Sequence, residues 1–518
     1  MSETWANSGV DLLLEVRGRR RRAGLEYALR EAVRGGRLAP GTRLPSSRAL
    51  AAELGMARNS VADAYGQLVA EGWLTARQGS GTTVADRSTP ADGHAAALHP
   101  AHAAGRRAYD LTPGSPDLAG FPRSGWLAAA RKALTAAPSR EFGYPDPRGL
   151  PGLRESLAGY LARVRGVRTE PGRIIICSGF VQALNLLSVA LRGRGAGAMA
   201  VESYGFGMHR DVIRAAGLAT RPVTVDESGA RIGELAGHRA DGPAGALAAV
   251  LLTPAHQYPL GVALTASRRA EVLRWAGDSG GLVIEDDYDG EFRYDRRPLG
   301  ALQGLAPGLV AYVGTASKSL APGLSLAWLV LPPYLVDLLV ETKRLSDGHT
   351  GVLEQLTLDE FIRSGAYDRH IRRSRLRYRR RRDRLVSVLA ERSPDVAVTG
   401  IAAGLHAVLR LGRGLRQSDE AAIVSRAARA GLAIEGLGEY RYDGHPGCHA
   451  DTATARRAGA GAAPGRGEPG RGEPGYGEPR RGGRRPGQDE PAALVAGYGS
   501  PPDHAFAGAL EALCDVLG

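Results

Sequence analysis

Cysteine and lysine are the two scarce residues that say most about this chain. Three cysteines occur in 518 residues, Cys177, Cys448 and Cys514. Their spacing forms neither a disulfide framework nor a metal-ligand set, so no metal is expected and a reducing cytoplasm is. Long apolar runs are missing too. No window approaches the length that spans a bilayer, and the opening MSETWANSGVDLLLEV lacks the pattern of a cleavable signal, so no membrane partner is expected. Of 67 Lys and Arg residues only Lys132, Lys318 and Lys343 are lysines. In a chain this rich in arginine, a guanidinium takes nearly every position that needs positive charge alone. A retained lysine stands out because its amine can lose a proton and become a nucleophile. Lys132 (WLAAARKAL) and Lys343 (VETKRL) fall in helix-like stretches and read as solvated charges, whereas Lys318 stands in TASKSLAP.

What is present reads as a folded chain of two or three domains. Hydrophobic residues make up 43% and charged residues 23% of it, and a net charge of +13 suggests a polyanionic partner. Residues 10–85 are helical in pattern and then strand-like. Residues 86–108 are Ala, His, Pro and Gly without apolar periodicity, a flexible linker. Residues 109–518 alternate buried-strand runs (RIIICSG, AMAVES, ALAAVLLTP, GLVIEDDYD, LVAYVGTAS, LAWLVLPP) with amphipathic stretches, which predicts an α/β fold with a mostly parallel sheet. From about 444 to 490 the chain is Gly, Arg, Glu and Pro with RGEPG repeated, and it holds too little apolar surface to fold. A disordered insertion is expected there, with order resuming at AALVAGYGSP.

The N-terminal segment carries two helical patterns joined at Gly55. Ser46 or Ser47 can cap the first, and the second, from about Ala57, buries Val61, Ala64, Tyr65 and Leu68. That leaves Arg58, Asn59, Ser60 and Asp63 exposed near its start, where a helix-turn-helix meets base edges and phosphates. GWLTARQGSGTTV fits two short strands with a glycine tip, a wing. The whole run from GRLAPGTRLPSSRAL to this wing resembles the winged helix-turn-helix of GntR-family regulators. The resemblance implies a double-stranded DNA operator as partner, with Arg48, Arg58, Asn59, Ser60 and Gly79 as contacts.

Around Lys318 four elements follow one another, each at a predicted strand end, where open α/β sheets place ligands. GLVIEDDYD ends in carboxylates and Tyr288. A carboxylate beside a pyridine nitrogen keeps it protonated, the electron sink of pyridoxal phosphate chemistry, and a tyrosine two residues on lies on the same face to meet the ring hydroxyl. Lys318 supplies the Schiff-base amine. Ser178-Gly179 opens a helix whose free N–H groups suit a phosphate, and Phe206 in VESYGFGMHR can stack on the ring.

FGYPDPRGLPGLRESLAGYLARVRGV, LLTPAHQYPLGVALTASRR, VIEDDYDGEFRYDRRPLGALQG and YVGTASKSLAPGLSLAWLVLP resemble fold-type I aminotransferases, and specifically the domain of MocR/GabR-type regulators, over about residues 109–440 and again from about 492. The resemblance implies pyridoxal 5'-phosphate as cofactor and Lys318 as the internal-aldimine lysine. It implies Asp286 at the pyridine nitrogen and Tyr288 at the ring oxygen. Ser178, Gly179, Phe180, Thr315 and Ser317 fall to the phosphate and Phe206 to the ring face. It also implies a homodimer. His256 and Gln257 fall in the loop near the cofactor, and Tyr258 precedes Pro259 as in the regulator branch. Two departures stand out. LSLAWLV places Ser325 where the family pattern has an arginine, and Arg441 is the one candidate for a carboxylate-binding arginine. The expected function is a cytoplasmic transcriptional regulator that senses an amine or amino acid by aldimine exchange at Lys318. The alternatives are a working aminotransferase with an accessory DNA-binding domain and a regulator that has lost its cofactor.

Overall fold

The computed structural model describes residues 21–77, 81–86, 108–238, 247–294, 299–412, 414–442 and 491–518. The chain divides into two compact units between Ala104 and Gly105. The linker read over 86–108 and the insertion read over 444–490 fall almost wholly outside the described residues, as do Cys448 and Gly79.

The N-terminal unit holds α1 (Arg21–Arg34), α2 (Ser47–Leu54), α3 (Arg58–Ala70), β1 (Leu74–Arg77) and β2 (Gly81–Val84). Ser46 caps α2, its hydroxyl accepting from Ala49 N at 3.1 Å, and Gly55 ends the helix at φ 59°. That left-handed turn is where glycine costs least. Four residues at helical spacing, Val61, Ala64, Tyr65 and Leu68, bury one face of α3 against Leu25, Leu29 and Leu50. β1 and β2 pair antiparallel, Leu74 opposite Val84 and Arg77 opposite Gly81. Arg30 fixes α1 to the end of α3 through Glu71, at 2.8 and 2.7 Å.

The larger unit is built on seven strands: β3 (Ile174–Cys177), β4 (Ala198–Glu202), β5 (Ala219–Val223), β6 (Leu247–Leu252), β7 (Leu282–Asp287), β8 (Val310–Thr315) and β9 (Ala327–Val330). Their order is β3-β9-β8-β7-β6-β4-β5. β4 to β8 run parallel, and β9 is antiparallel to both β8 and β3. Successive side chains enter cores on opposite faces, Val283 and Val310 on one and Ile284 and Ala311 on the other. Burial on both sides explains why these strands read as unbroken apolar runs. Each fully buried Ile, Leu or Val contributes about 2 kcal/mol. A second, antiparallel sheet joins β10 (Ala397–Thr399), β11 (Ala407–Arg410), β13 (Ala493–Ala496) and β12 (Glu435–Gly436) in that order. β13 follows residues 443–490 in sequence yet takes an interior place in the sheet.

Five helices of this unit matter below: α4 (Pro151–Arg165), α5 (Phe180–Gly193), α6 (Gly207–Ala215), α7 (Val336–Ser346) and α8 (Ala366–Arg392). One expectation, that for Lys343, is corrected here. In the arginine-rich α8, Ile371 and Leu385 are buried but Leu376 is 56% exposed. The buried stripe runs Ile371, Tyr378, Leu385 and Leu389, and Leu376, five residues from Ile371, falls well round the helix from it. Lys132 is exposed, paired with Glu360. Lys343, by contrast, is wholly buried rather than solvated, because Asp347 lies one turn on and accepts from it.

Candidate functional site

In the N-terminal unit Arg48 is exposed near the start of α2, and Arg58, Asn59 and Ser60 form the first turn of α3. Arg58 and Asn59 are exposed while the opposite face of α3 is core. Tyr65 donates from its hydroxyl to Pro45 O at 3.0 Å and so ties α3 to the entry of α2. Two side chains suited to base edges are thereby held at the open end of a packed helix.

In the larger unit the C-terminal ends of β3, β4, β7 and β8 surround a cavity of about 460 Å³. Ser178, Gly179, Phe180, Phe206, Asp286, Tyr288, Thr315, Ser317 and Lys318 all line it. Asp286 and Asp287 close β7 and point oppositely, as successive strand residues must. Asp287 is held by Arg165 of α4, Nε to Oδ2 at 2.6 Å and a second guanidinium nitrogen to Oδ1 at 2.8 Å, and it accepts from the Tyr312 hydroxyl at 2.7 Å. Asp286 is buried on the cavity side, and its Oδ1 has no hydrogen-bond partner among the described residues. Burial, reinforced by Asp287, lifts its carboxyl well above the usual carboxylate range, and Lys318 works against that. Lys318 follows β8 by three residues and donates to Gly114 O. Burial lowers its pKa, with Asp286 and Asp289 opposing the shift, so a neutral amine is more accessible than for a solvated lysine.

Gly179 starts α5 at φ 103°, a conformation that favours glycine, and a Cβ there would meet nothing within 4 Å. The cavity is thus open above the first amides of α5. Thr315 Oγ1 lies 2.8 Å from Ser317 Oγ and accepts from Ser317 N at 3.1 Å, so both hydroxyls sit on one tight turn. Tyr288 Oη lies 3.0 Å from His256 Nδ1, which is also 2.8 Å from Asp289 Oδ2. Burial raises the Tyr288 phenol pKa, which keeps it protonated. An orphaned buried carboxylate oxygen, a desolvated amine, a neutral phenol and an open helix start fit a phosphorylated pyridine aldehyde.

The departures also have places. Ser325 lines the cavity in the left-handed region at φ 53°, and its Oγ donates to Ser178 O at 3.3 Å, against the turn before α5. Arg441 is not on the cavity wall, and its guanidinium donates to Gln417 Oε1 at 3.0 Å. Arg210 is on the wall, donating to the carbonyls of Gly205 at 3.1 Å and Arg441 at 3.2 Å.

Sequence reasoning passed over several wall residues. His209 packs between Phe180 and Phe206, with ring centroids 4.6 and 5.6 Å away, and burial with Lys318 and Arg210 pushes its pKa down to about 3. Its spacing of three from Phe206 on a helix was the available signal. Glu202 ends β4 and accepts from Thr253 Oγ1 at 2.6 Å. Gly114, in LTPGSPD, carried no sequence signal.

Residues 22–84 match the family described as "Bacterial regulatory proteins, gntR family", and residues 114–430 match "Aminotransferase class I and II". The "Uncharacterized HTH-type transcriptional regulator YhdI" of Bacillus subtilis is 34% identical over 406 residues, 77% of this chain and 84% of its own length. The "HTH-type pyridoxine biosynthesis transcriptional regulator PdxR" of Corynebacterium glutamicum is 34% identical over 418 residues, 80% of this chain and 88% of its own. The "Probable rhizopine catabolism regulatory protein MocR" of Rhizobium meliloti is 31% identical over 408 residues, covering 75% and 81%. Among solved structures, an archaeal alanine:glyoxylate aminotransferase superposes with a TM-score of 0.63 at 21% identity, over 79% of this chain and 90% of that one, a likeness of fold.

Proposed function

The chain belongs to the MocR-type regulators, which join a gntR-family helix-turn-helix to an aminotransferase class I and II domain, and from that premise we propose that it binds a double-stranded operator and adjusts that binding to an amine or amino acid met at Lys318. The observation that carries the reading is that the desolvated Lys318 amine and the Asp286 oxygen left without a partner among the described residues line one cavity, in a chain whose other unit presents Arg58 and Asn59.

When bound, pyridoxal phosphate supplies a reactive carbonyl and an electron-withdrawing ring. Asp286 would hold the proton on the pyridine nitrogen, and Tyr288 would hydrogen-bond the ring oxygen. The amides of Gly179 and Phe180, with Ser178, Thr315 and Ser317, would hold the phosphate, and Phe206 would cover the ring. Lys318 occupies the place that an incoming amine takes. A Lys318 amine left free by such an amine would hold a proton beside Asp286 and Asp289, and that change of charge would bias the larger unit between two states that bind DNA differently. Arg210 is engaged by backbone carbonyls and Arg441 by Gln417, which favours sensing over turnover of a dicarboxylic substrate. A cytoplasmic homodimer completes the reading.

The test is spectroscopic. Purified protein with pyridoxal phosphate is expected to absorb near the visible edge, and Lys318→Ala is expected to lose that band. A wild type that stays colourless with added cofactor contradicts the proposal. Repeated turnover with a keto acid and unchanged operator affinity would instead favour the aminotransferase.

A further inference from the structure

Lys343 of α7 is fully buried in a chain that otherwise uses arginine for nearly every cation. Its ammonium donates to Asp347 Oδ1 at 2.9 Å, Asp347 Oδ2 at 2.8 Å and Thr350 Oγ1 at 3.1 Å. All three donors are thus used, in a compact geometry that a planar guanidinium does not reproduce. From here two routes lead to one place. Asp347 Oδ2 accepts from Gln182 Nε2 at 2.6 Å, and Gln182 Oε1 accepts from Ser178 N at 2.7 Å. Thr350 Oγ1 donates to Ile176 O at 3.1 Å, two residues before Ser178 on the end of β3. The far end of both routes is the Ser178-Gly179 turn, where the space around Gly179 is open and Ser325 Oγ donates to the Ser178 carbonyl.

We propose that Lys343 is a positioning residue for the phosphate end of the cofactor site, acting through Asp347 and Gln182 on the turn that starts α5. The inference rests on the cofactor reading above. Gln182 orients the Ser178 peptide, and Asp347, oriented by Lys343, holds Gln182 in place. The network touches the phosphate side of the cavity and neither Lys318 nor Asp286. Its loss should therefore weaken recognition of the phosphate and leave recognition of the ring and aldehyde intact.

The experiment titrates the full-length, cofactor-stripped protein with pyridoxal phosphate and, separately, with unphosphorylated pyridoxal, following absorbance. Gln182→Leu cuts the link while leaving the Lys343–Asp347 pair in place, so it guards against a Lys343→Met variant that fails to fold. For both variants the Kd for pyridoxal phosphate is expected to rise roughly tenfold, the loss of a hydrogen bond in a charged network, while the Kd for pyridoxal changes less than about twofold. Equal weakening of both ligands, or no change for either in Gln182→Leu, overturns the proposal. A wild type that binds neither ligand removes the cofactor reading itself, a separate failure.

Discussion

At the scale of single residues, the site turns on how neighbours of the same chemistry are separated. Asp286 and Asp287 are adjacent carboxylates, yet one is locked to Arg165 and the other is left open to the cavity. The same holds for the lysines: Lys132 is exposed, Lys343 is consumed by a buried network, and Lys318 is desolvated on a cavity wall. A pH prediction follows for the cofactor-free protein. The folded pKa of Lys318 lies below the ordinary 10.5. As pH climbs toward 10.5, the folded chain has released this proton while the unfolded chain still holds it, so the unfolded state binds more protons and stability rises with pH. Lys318→Met should remove that alkaline rise in denaturant titrations. An unchanged slope would show that the amine is not desolvated in solution.

At the scale of elements, periodicity made much of the architecture legible. The buried face of α3 was readable because Val61, Ala64, Tyr65 and Leu68 follow the helical repeat and need no distant partner to be recognised. The strands of the large sheet were readable because both of their faces are apolar. What stayed hidden depends on contacts far apart in sequence. Arg165 meets Asp287 across 122 residues, Lys318 meets Gly114 across 204, and Gln182 meets Asp347 across 165. No local pattern marks such pairs. In α8 the exposed Leu376 lies off the buried stripe, and this gives a test. Leu385→Ala should cost about 2–5 kcal/mol in chemical denaturation, while Leu376→Ala, at an exposed site, should stay within about 0.5 kcal/mol. Equal effects would mean that α8 packs by another face.

At the scale of the whole molecule, one chain carries both a head that presents Arg58 and Asn59 and a body whose cavity gathers an amine, an orphaned carboxylate and an open helix start. The nine cavity residues named from the sequence come from four strand ends: Ser178, Gly179, Phe206, Asp286, Tyr288 and Lys318 were legible from that placement, and Phe180, Thr315 and Ser317 through the family resemblance. Of their supports, the resemblance placed His256 near the cofactor, but its partner Asp289 and the Lys343 network behind Gly179 were not legible, because buried polar partners leave no periodic trace. The central claim is that Lys318 links effector to DNA. The direct measurement is operator affinity of cofactor-loaded protein across a panel of amines and amino acids, for wild type and Lys318→Ala. The account predicts that at least one amine shifts wild-type affinity about tenfold, within the usual range of allosteric coupling, and that the same amine leaves Lys318→Ala unmoved. An equal shift in both proteins would contradict it.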